Sequence, residues 1–253
     1  MALDTRKKTL SEKIEEAEHS APEIAAHMRT GARLILKKGL NPDVTKAAVV
    51  GIFDDSGSAE PLFNNGTMQE SADLALAAGL IFDDDGSVPV AYFSSNVQDL
   101  GEITLGNASG FISRNRPRYR GTMYSSALAW IKEQAGFSGG GRGFFGRSKQ
   151  PSIPTEYPTF AIVVTDGEPQ DPREAEQALR EMSNLPIFIQ FVGVGPHKFE
   201  FLKNLDNLPG RFIDNAGFFD AKEAKGDVNA MLAGLLNEFP DYVVAAKKAG
   251  LIQ

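Results

Sequence analysis

The chain predicts an α/β fold: a doubly wound, mostly parallel central sheet flanked by helices, with an N-terminal helical extension in front of it. Short apolar runs bounded by turn residues recur along the sequence, as expected of strands buried on both faces. Between them lie longer stretches with apolar residues at helical spacing, and that alternation is the pattern of a parallel sheet with crossover helices. A chain of 253 residues, 23% charged and 42% apolar, is globular and long enough to bury one large core.

The first forty residues read as helix. Thr9-x-x-Glu12 and Ser20-Ala21-Pro22-Glu23 have the form of capping boxes, and the second helical pattern runs to Lys37-Lys38 and stops at Gly39. Ile24, Met28, Leu34 and Ile35 give it an apolar face expected to dock on the main domain. We therefore place an extension at 1–44 and the main domain at 45–253. Strands are expected near 47–53, 89–94, 159–165, 186–193 and 211–214, with a weaker antiparallel edge near 102–105. Helical patterns occupy 67–80, 122–135, 172–183 and 198–205, then Asp227 to Glu238, then Pro240 to a stop at Gly250. Residues 136–158 are rich in Gly and Pro and read as a mobile surface loop, with a basic and aromatic contact loop, using Phe137, Phe144 and Phe145 beside Arg142, Arg147 and Lys149, as the alternative.

Composition removes several function classes. The formal charge of −7 gives no global support to a nucleic-acid or anionic-membrane partner. With no cysteine there is no disulfide, thiolate zinc site or cysteine nucleophile. The start, Met1-Ala2-Leu3-Asp4-Thr5-Arg6-Lys7-Lys8, leads into a charged helix, and no apolar run approaches the ~20 residues that span a bilayer, so the cytoplasm is the default location.

The chemistry concentrates in three separated pieces. Asp54, Ser56 and Ser58 follow the first strand, Gly121-Thr122 opens a helix, and Thr165-Asp166-Gly167-Glu168 follows the strand Phe160-Ala161-Ile162-Val163-Val164. In a doubly wound sheet all three meet at the carboxyl ends of the strands, where ligands collect. Asp54 and Asp166 supply charge, and the hydroxyls of Ser56, Ser58 and Thr122 supply neutral hard-oxygen ligands suited to Mg²⁺ or Mn²⁺. Turn and helix-cap roles explain each piece singly, since Asp, Ser and Thr favour those positions unaided.

The Asp-x-Ser-x-Ser loop, the distant Thr122 and the Thr165-Asp166-Gly167 segment resemble the metal-ion-dependent adhesion site of von Willebrand factor type A domains. Asn65-Gly66-Thr67, Phe82-Asp83-Asp84-Asp85-Gly86, Gln190-Phe191-Val192-Gly193-Val194-Gly195 and Asp214-Asn215-Ala216-Gly217-Phe218-Phe219 resemble the C-terminal A domain of TerF-type proteins from bacterial tellurium-resistance and stress operons. The resemblance implies a doubly wound fold, a Mg²⁺ site completed by an acidic residue of a partner protein, and a bacterial cytoplasmic stress setting. Where many such loops continue with a hydrophobic residue, this one continues Ala59-Glu60-Pro61. Asp55 and Glu60 add negative charge, which leaves Ca²⁺ open beside Mg²⁺ and Mn²⁺.

Other signals read more simply. Gly141 to Ser148 imitates a phosphate loop but lacks the strand before it and the helix after it. Asp83-Asp84-Asp85-Gly86-Ser87 lacks the late Glu of a calcium loop and reads as a solvated turn. His19, His27 and His197 have no ligand or nucleophile pattern, and Trp130 reads as core. The run Arg114-Asn115-Arg116-Pro117-Arg118-Tyr119-Arg120 just before Thr122 is a solvated loop or a contact for an acidic ligand, with Arg118 and Arg120 its candidate partner-binding residues. The expected function is a non-catalytic, metal-dependent interaction module. Its rivals are a phosphoryl hydrolase using Asp54, which lacks a second acid at Ser56 and an evident in-site Lys, and an ion-sequestering protein.

Overall fold

Four apolar runs become central strands within two residues of their expected places: β1 (Ala48–Asp54), β2 (Ser87–Phe93), β4 (Thr159–Thr165) and β5 (Ile187–Gly193). The computed structural model describes residues 8–115, 117, 118, 120–137 and 152–253. The weak edge signal is a full strand, β3 (Val97–Thr104), antiparallel to β2. The sheet order is β3-β2-β1-β4-β5-β6, with every pair except β2 and β3 parallel. The chain runs from β1 outward to β2 and β3, then returns to the other side of β1 at β4. The gap above β1 and β4 is thus the topological switch point, where an open α/β sheet leaves room for a ligand.

The last strand is not where the sequence placed it. Residues 211–214 form a loop, and β6 is Ala216–Asp220. The apolar pair Phe212-Ile213 imitates a strand, but Phe212 is exposed and its N–H is taken by Ser183 Oγ at 2.8 Å. Arg211 closes the loop by pairing with Asp214 at 2.7 Å. Pairing with β5 begins only after Asn215, whose side-chain amide donates to the Leu179 carbonyl.

The helices are α1 (Leu10–Ser20), α2 (Pro22–Lys37), α3 (Glu60–Asn64), α4 (Thr67–Phe82), α5 (Phe111–Arg114), α6 (Tyr124–Gln134), α7 (Pro172–Met182), α8 (Glu200–Asp206), α9 (Val228–Leu235) and α10 (Phe239–Lys248). The capping box at Thr9 and Glu12 forms in both directions. The one at Ser20 does not. Ser20 is still inside α1, its hydroxyl donates back to the Glu16 carbonyl, and α2 starts on Pro22 without a side-chain cap.

Strand residues alternate between two cores. Phe160, Ile162 and Val164 face a cluster with α1, α2, α4, α9 and α10, while Ala161 and Val163 face α6, α7 and α8. Ile24, Met28 and Ile35 are buried in the first cluster, Leu34 packs against it, and α2 lies on α4 and α9. Helix α4 approaches the sheet closely at Gly79, where a Cβ would lie 2.2 Å from a Val88 methyl.

Asp84 is not the solvated turn residue expected. Its carboxylate is held by Lys13 Nζ at 3.1 Å and Lys46 Nζ at 2.8 Å, and Lys13 is itself buried. Residues 138–151, which hold most of the expected mobile loop and the phosphate-loop look-alike, lie outside the described residues. On its flanks, Phe137 is buried, and Thr155 exchanges backbone bonds with Leu251 and Gln253. Among the described residues no helix is long and apolar enough to cross a membrane.

Candidate metal centre

Strand pairing sets the site. Phe53 of β1 lies beside Val164 of β4, so the next residues, Asp54 and Thr165, emerge together at the carboxyl end of the sheet. Asp54 is fully buried. Its Oδ2 accepts a hydrogen bond from Thr165 Oγ1 at 2.6 Å, and its Oδ1 accepts the Ser56 N–H at 2.8 Å. The chain then turns so that Ser56 Oγ and Ser58 Oγ lie 3.1 Å apart. Both reach the same oxygen, Asp166 Oδ1, at 3.3 and 3.1 Å.

Asp54, Ser56, Ser58 and Asp166 are therefore brought together as expected. Asp54, Ser56 and Asp166 are buried and Ser58 is exposed, so the cluster opens to solvent on the Ser58 side. Thr122 is tied to this end of the sheet through its backbone. Its carbonyl accepts the Gln170 N–H at 2.8 Å, which fixes it against the loop that follows Asp166. Its hydroxyl forms no hydrogen bond to either carboxylate among the described residues. Arg118 and Arg120 are exposed beside the site, and neither forms an ion pair among the described residues.

Burial pushes the Asp54 carboxyl up to about 6, with a further rise from Asp166; the bonds from Thr165 and Ser56 oppose this. No Lys or Arg is paired with Asp54 or Asp166 among the described residues. Two adjacent buried carboxylates without a positive partner carry a large desolvation and repulsion cost. A divalent cation relieves both, and the hydroxyl oxygens complete a hard-oxygen set. The donor set fits such an ion. No cluster of three or more His, Cys, Asp or Glu side chains suited to a metal occurs among the described residues, so the hydroxyls are essential to this fit.

Four supporting residues have no motif of their own. Thr165 holds Asp54. The Tyr124 hydroxyl lies 3.1 Å from Thr165 Oγ1 and 2.6 Å from the Gly167 carbonyl, and burial raises its pKa well above the usual tyrosine value. Asp171 caps α6 from outside the helix by accepting the N–H groups of Tyr124 and Ser125, each at 2.8 Å. Asp55 accepts the Arg118 N–H. Thr165 was legible as the residue ending a strand beside Asp166; the other three become visible only once the loops are folded together.

Replacing Thr165 by Val leaves Asp54 Oδ2 without its donor in a buried place. The expected result is a loss of about 1–3 kcal/mol in unfolding free energy for metal-free protein at pH 8, read by urea denaturation. An unchanged midpoint would show that this bond is not made.

A doubly wound sheet with a carboxylate and hydroxyl loop after its first strand defines a von Willebrand factor A-type domain. The chain belongs to the vWA-TerF-like family, the A domain found in the TerF C terminus, whose model matches residues 46–252. The uncharacterized protein YcbR of Bacillus subtilis (strain 168) is 28% identical over 238 residues, covering 89% of this chain and 88% of that one. Copine-C of Dictyostelium discoideum is 31% identical over 100 residues, which are 36% of this chain and 19% of the copine. Proximal thread matrix protein 1 from the mussel byssus superposes with a TM-score of 0.54 at 16% identity, over 76% of this chain and 47% of that chain. This chain thus spans about half of the mussel protein's structure, and the likeness is one of fold.

Proposed function

We propose that the protein is a non-catalytic interaction module that binds a divalent cation, Mg²⁺ first and Mn²⁺ or Ca²⁺ as alternatives, and uses it to hold an acidic residue of a partner protein. The observation that carries this reading is the pair of buried carboxylates, Asp54 and Asp166, set beside serine hydroxyls with no basic side chain paired to them among the described residues. Asp54, Ser56, Ser58, Thr122 and Asp166 would hold the ion. Two carboxylates balance the charge of a divalent cation without filling its coordination shell, and neutral hydroxyl ligands leave the ion electrophilic toward a further carboxylate. Arg118 and Arg120, exposed on the rim, are suited to the rest of an acidic segment.

Two further points support binding over turnover. Ser56 and Ser58 are bonded to a carboxylate and to each other rather than to a histidine base. The position two residues after Asp54, where a phosphoryl-transfer acid would stand, is Ser56, whose N–H is turned back onto Asp54. Family membership supports a cytoplasmic protein in a bacterial tellurium-resistance or stress-response setting.

The test is affinity isolation of bound protein from the source cells in Mg²⁺ and in EDTA. A partner retained in Mg²⁺, released by EDTA and not retained by Asp54→Ala is the expected result. Equal retention under all three conditions would overturn the proposal.

A further inference from the structure

Asp55 is a buried carboxylate at the same edge that the metal reading leaves without a role; it is 1% exposed. Its side chain is committed to the described residues of the segment 117–122, which are 117, 118 and 120–122. Asp55 Oδ2 accepts the Arg118 N–H at 3.0 Å, and Oδ1 has no hydrogen-bond partner among the described residues. The Asp55 carbonyl accepts the Arg120 N–H at 3.2 Å, and Gly57 donates its N–H to the Arg120 carbonyl at 3.1 Å. Ser56 and Arg120 accordingly form a short parallel bridge. Further on, Gln170 donates to the Thr122 carbonyl at 2.8 Å and Met123 donates to the Ser94 carbonyl at 2.9 Å.

These bonds make the segment a strap laid across the top of the sheet. It is tied to the Asp54 loop at one end and to the Asp166 loop at the other. Gly121 passes so close to its neighbours that a Cβ there would lie 2.5 Å from Gln170 Oε1 and 3.2 Å from Ser95 Oγ. Of the bonds anchoring the strap, the one from Arg118 to Asp55 is charge-assisted, and among the described residues of the strap it is the one nearest α5. It acts on the part of the strap that carries both exposed arginines, upstream of Thr122.

We propose that Asp55 is a positioning residue: its carboxylate hooks the strap onto the end of β1 and so sets where Arg118, Arg120 and Thr122 stand relative to Asp54 and Asp166. The consequence for metal affinity rests on the metal reading above; the hook itself does not. Asp55 acts through the strap and does not touch the ion.

The experiment measures amide hydrogen exchange and Mg²⁺ binding by calorimetry for wild type, Asp55→Ala and Asp55→Asn. Exchange is followed in metal-free protein, so it reads the hook whether or not Mg²⁺ binds. In Asp55→Ala the amides of Arg118 and Arg120 are expected to exchange faster while those of β1 and β4 stay protected, and Mg²⁺ affinity is expected to fall by about 10-fold or more, as when an outer support of a metal site is removed. Asp55→Asn keeps an oxygen that can accept the Arg118 N–H and should restore both readings toward wild type.

Unchanged strap exchange in Asp55→Ala overturns the hook. Equal Mg²⁺ loss in the Ala and Asn variants, with the strap still protected in Asn, overturns positioning in favour of direct ligation. Absence of Mg²⁺ binding by wild type defeats the metal reading alone. Should Asp55→Ala not fold, Arg118→Pro deletes the donated N–H without changing β1 and must loosen the strap, while Arg118→Ala keeps the N–H and must not.

Discussion

Replacing Asp54 by Ala is expected to abolish divalent-cation binding. The site has two formal charges to offer, from Asp54 and Asp166, and removing one leaves a single carboxylate among neutral hydroxyls. The affinity loss should exceed the roughly 100-fold that marks the upper end for losing an outer support of a metal site. Thermal melts read this without a partner. Mg²⁺ at 100 times its dissociation constant adds about 2.7 kcal/mol to wild-type stability. At roughly 2–4 °C per kcal/mol for a chain of this size, the wild-type melt should rise by about 5–10 °C. Asp54→Ala should show no rise. In metal-free protein the same substitution should cost little, because the burial that raises the Asp54 carboxyl to about 6 disappears with the carboxyl, offsetting the donors left on Ser56 and Thr165. Equal Mg²⁺-dependent shifts in both proteins would remove Asp54 from the site.

The parts of this arrangement that were legible in the sequence are those encoded by nearby residues. Val49, Val50, Ile52 and Phe53 read as a buried strand because both faces of β1 are covered, and the residues of Thr159–Thr165 read the same way. Asp54, Ser56, Ser58 and Asp166 could be placed together because strand ends in a doubly wound sheet share one edge. Misreadings arose where distant partners decide. Phe212 and Ile213 have strand propensity, but Ser183 and the Arg211 to Asp214 pair hold them in a loop. Asp84 looked like a turn acid, and no local pattern announces that Lys13, in α1, reaches it. Nothing local to Asp171 or Asp55 shows that their carboxylates fix a helix start and a strap elsewhere in the chain.

Stability and the site should separate cleanly, which a substitution at Phe239 tests. Phe239 is the first residue of α10 and is fully buried. It stacks on Phe160 with centroids 4.5 Å apart and planes 11° from parallel, and it meets Phe82 edge-on at 5.0 Å. Phe188 and Tyr242 lie at 5.9 and 6.4 Å, so one ring joins the last helix to the starts of β4 and β5. Phe239→Ala should cost about 3–5 kcal/mol, a large share of the ~5–15 kcal/mol that holds a domain together, and lower the melt by on the order of 10 °C. Phe239→Leu keeps much of the volume and should cost about 1–2 kcal/mol. Phe160, which carries the stack, precedes Thr165 by five residues, roughly 16 Å along an extended strand, well beyond the range over which substitutions usually couple. Phe239→Leu should therefore bind Mg²⁺ like wild type while melting earlier, whereas Asp54→Ala melts like metal-free wild type and binds none. If the Leu variant also lost the cation, the carboxyl ends of β1 and β4 would have to respond to packing at the opposite ends of the same strands, and the site could not be a preformed feature of the sheet edge.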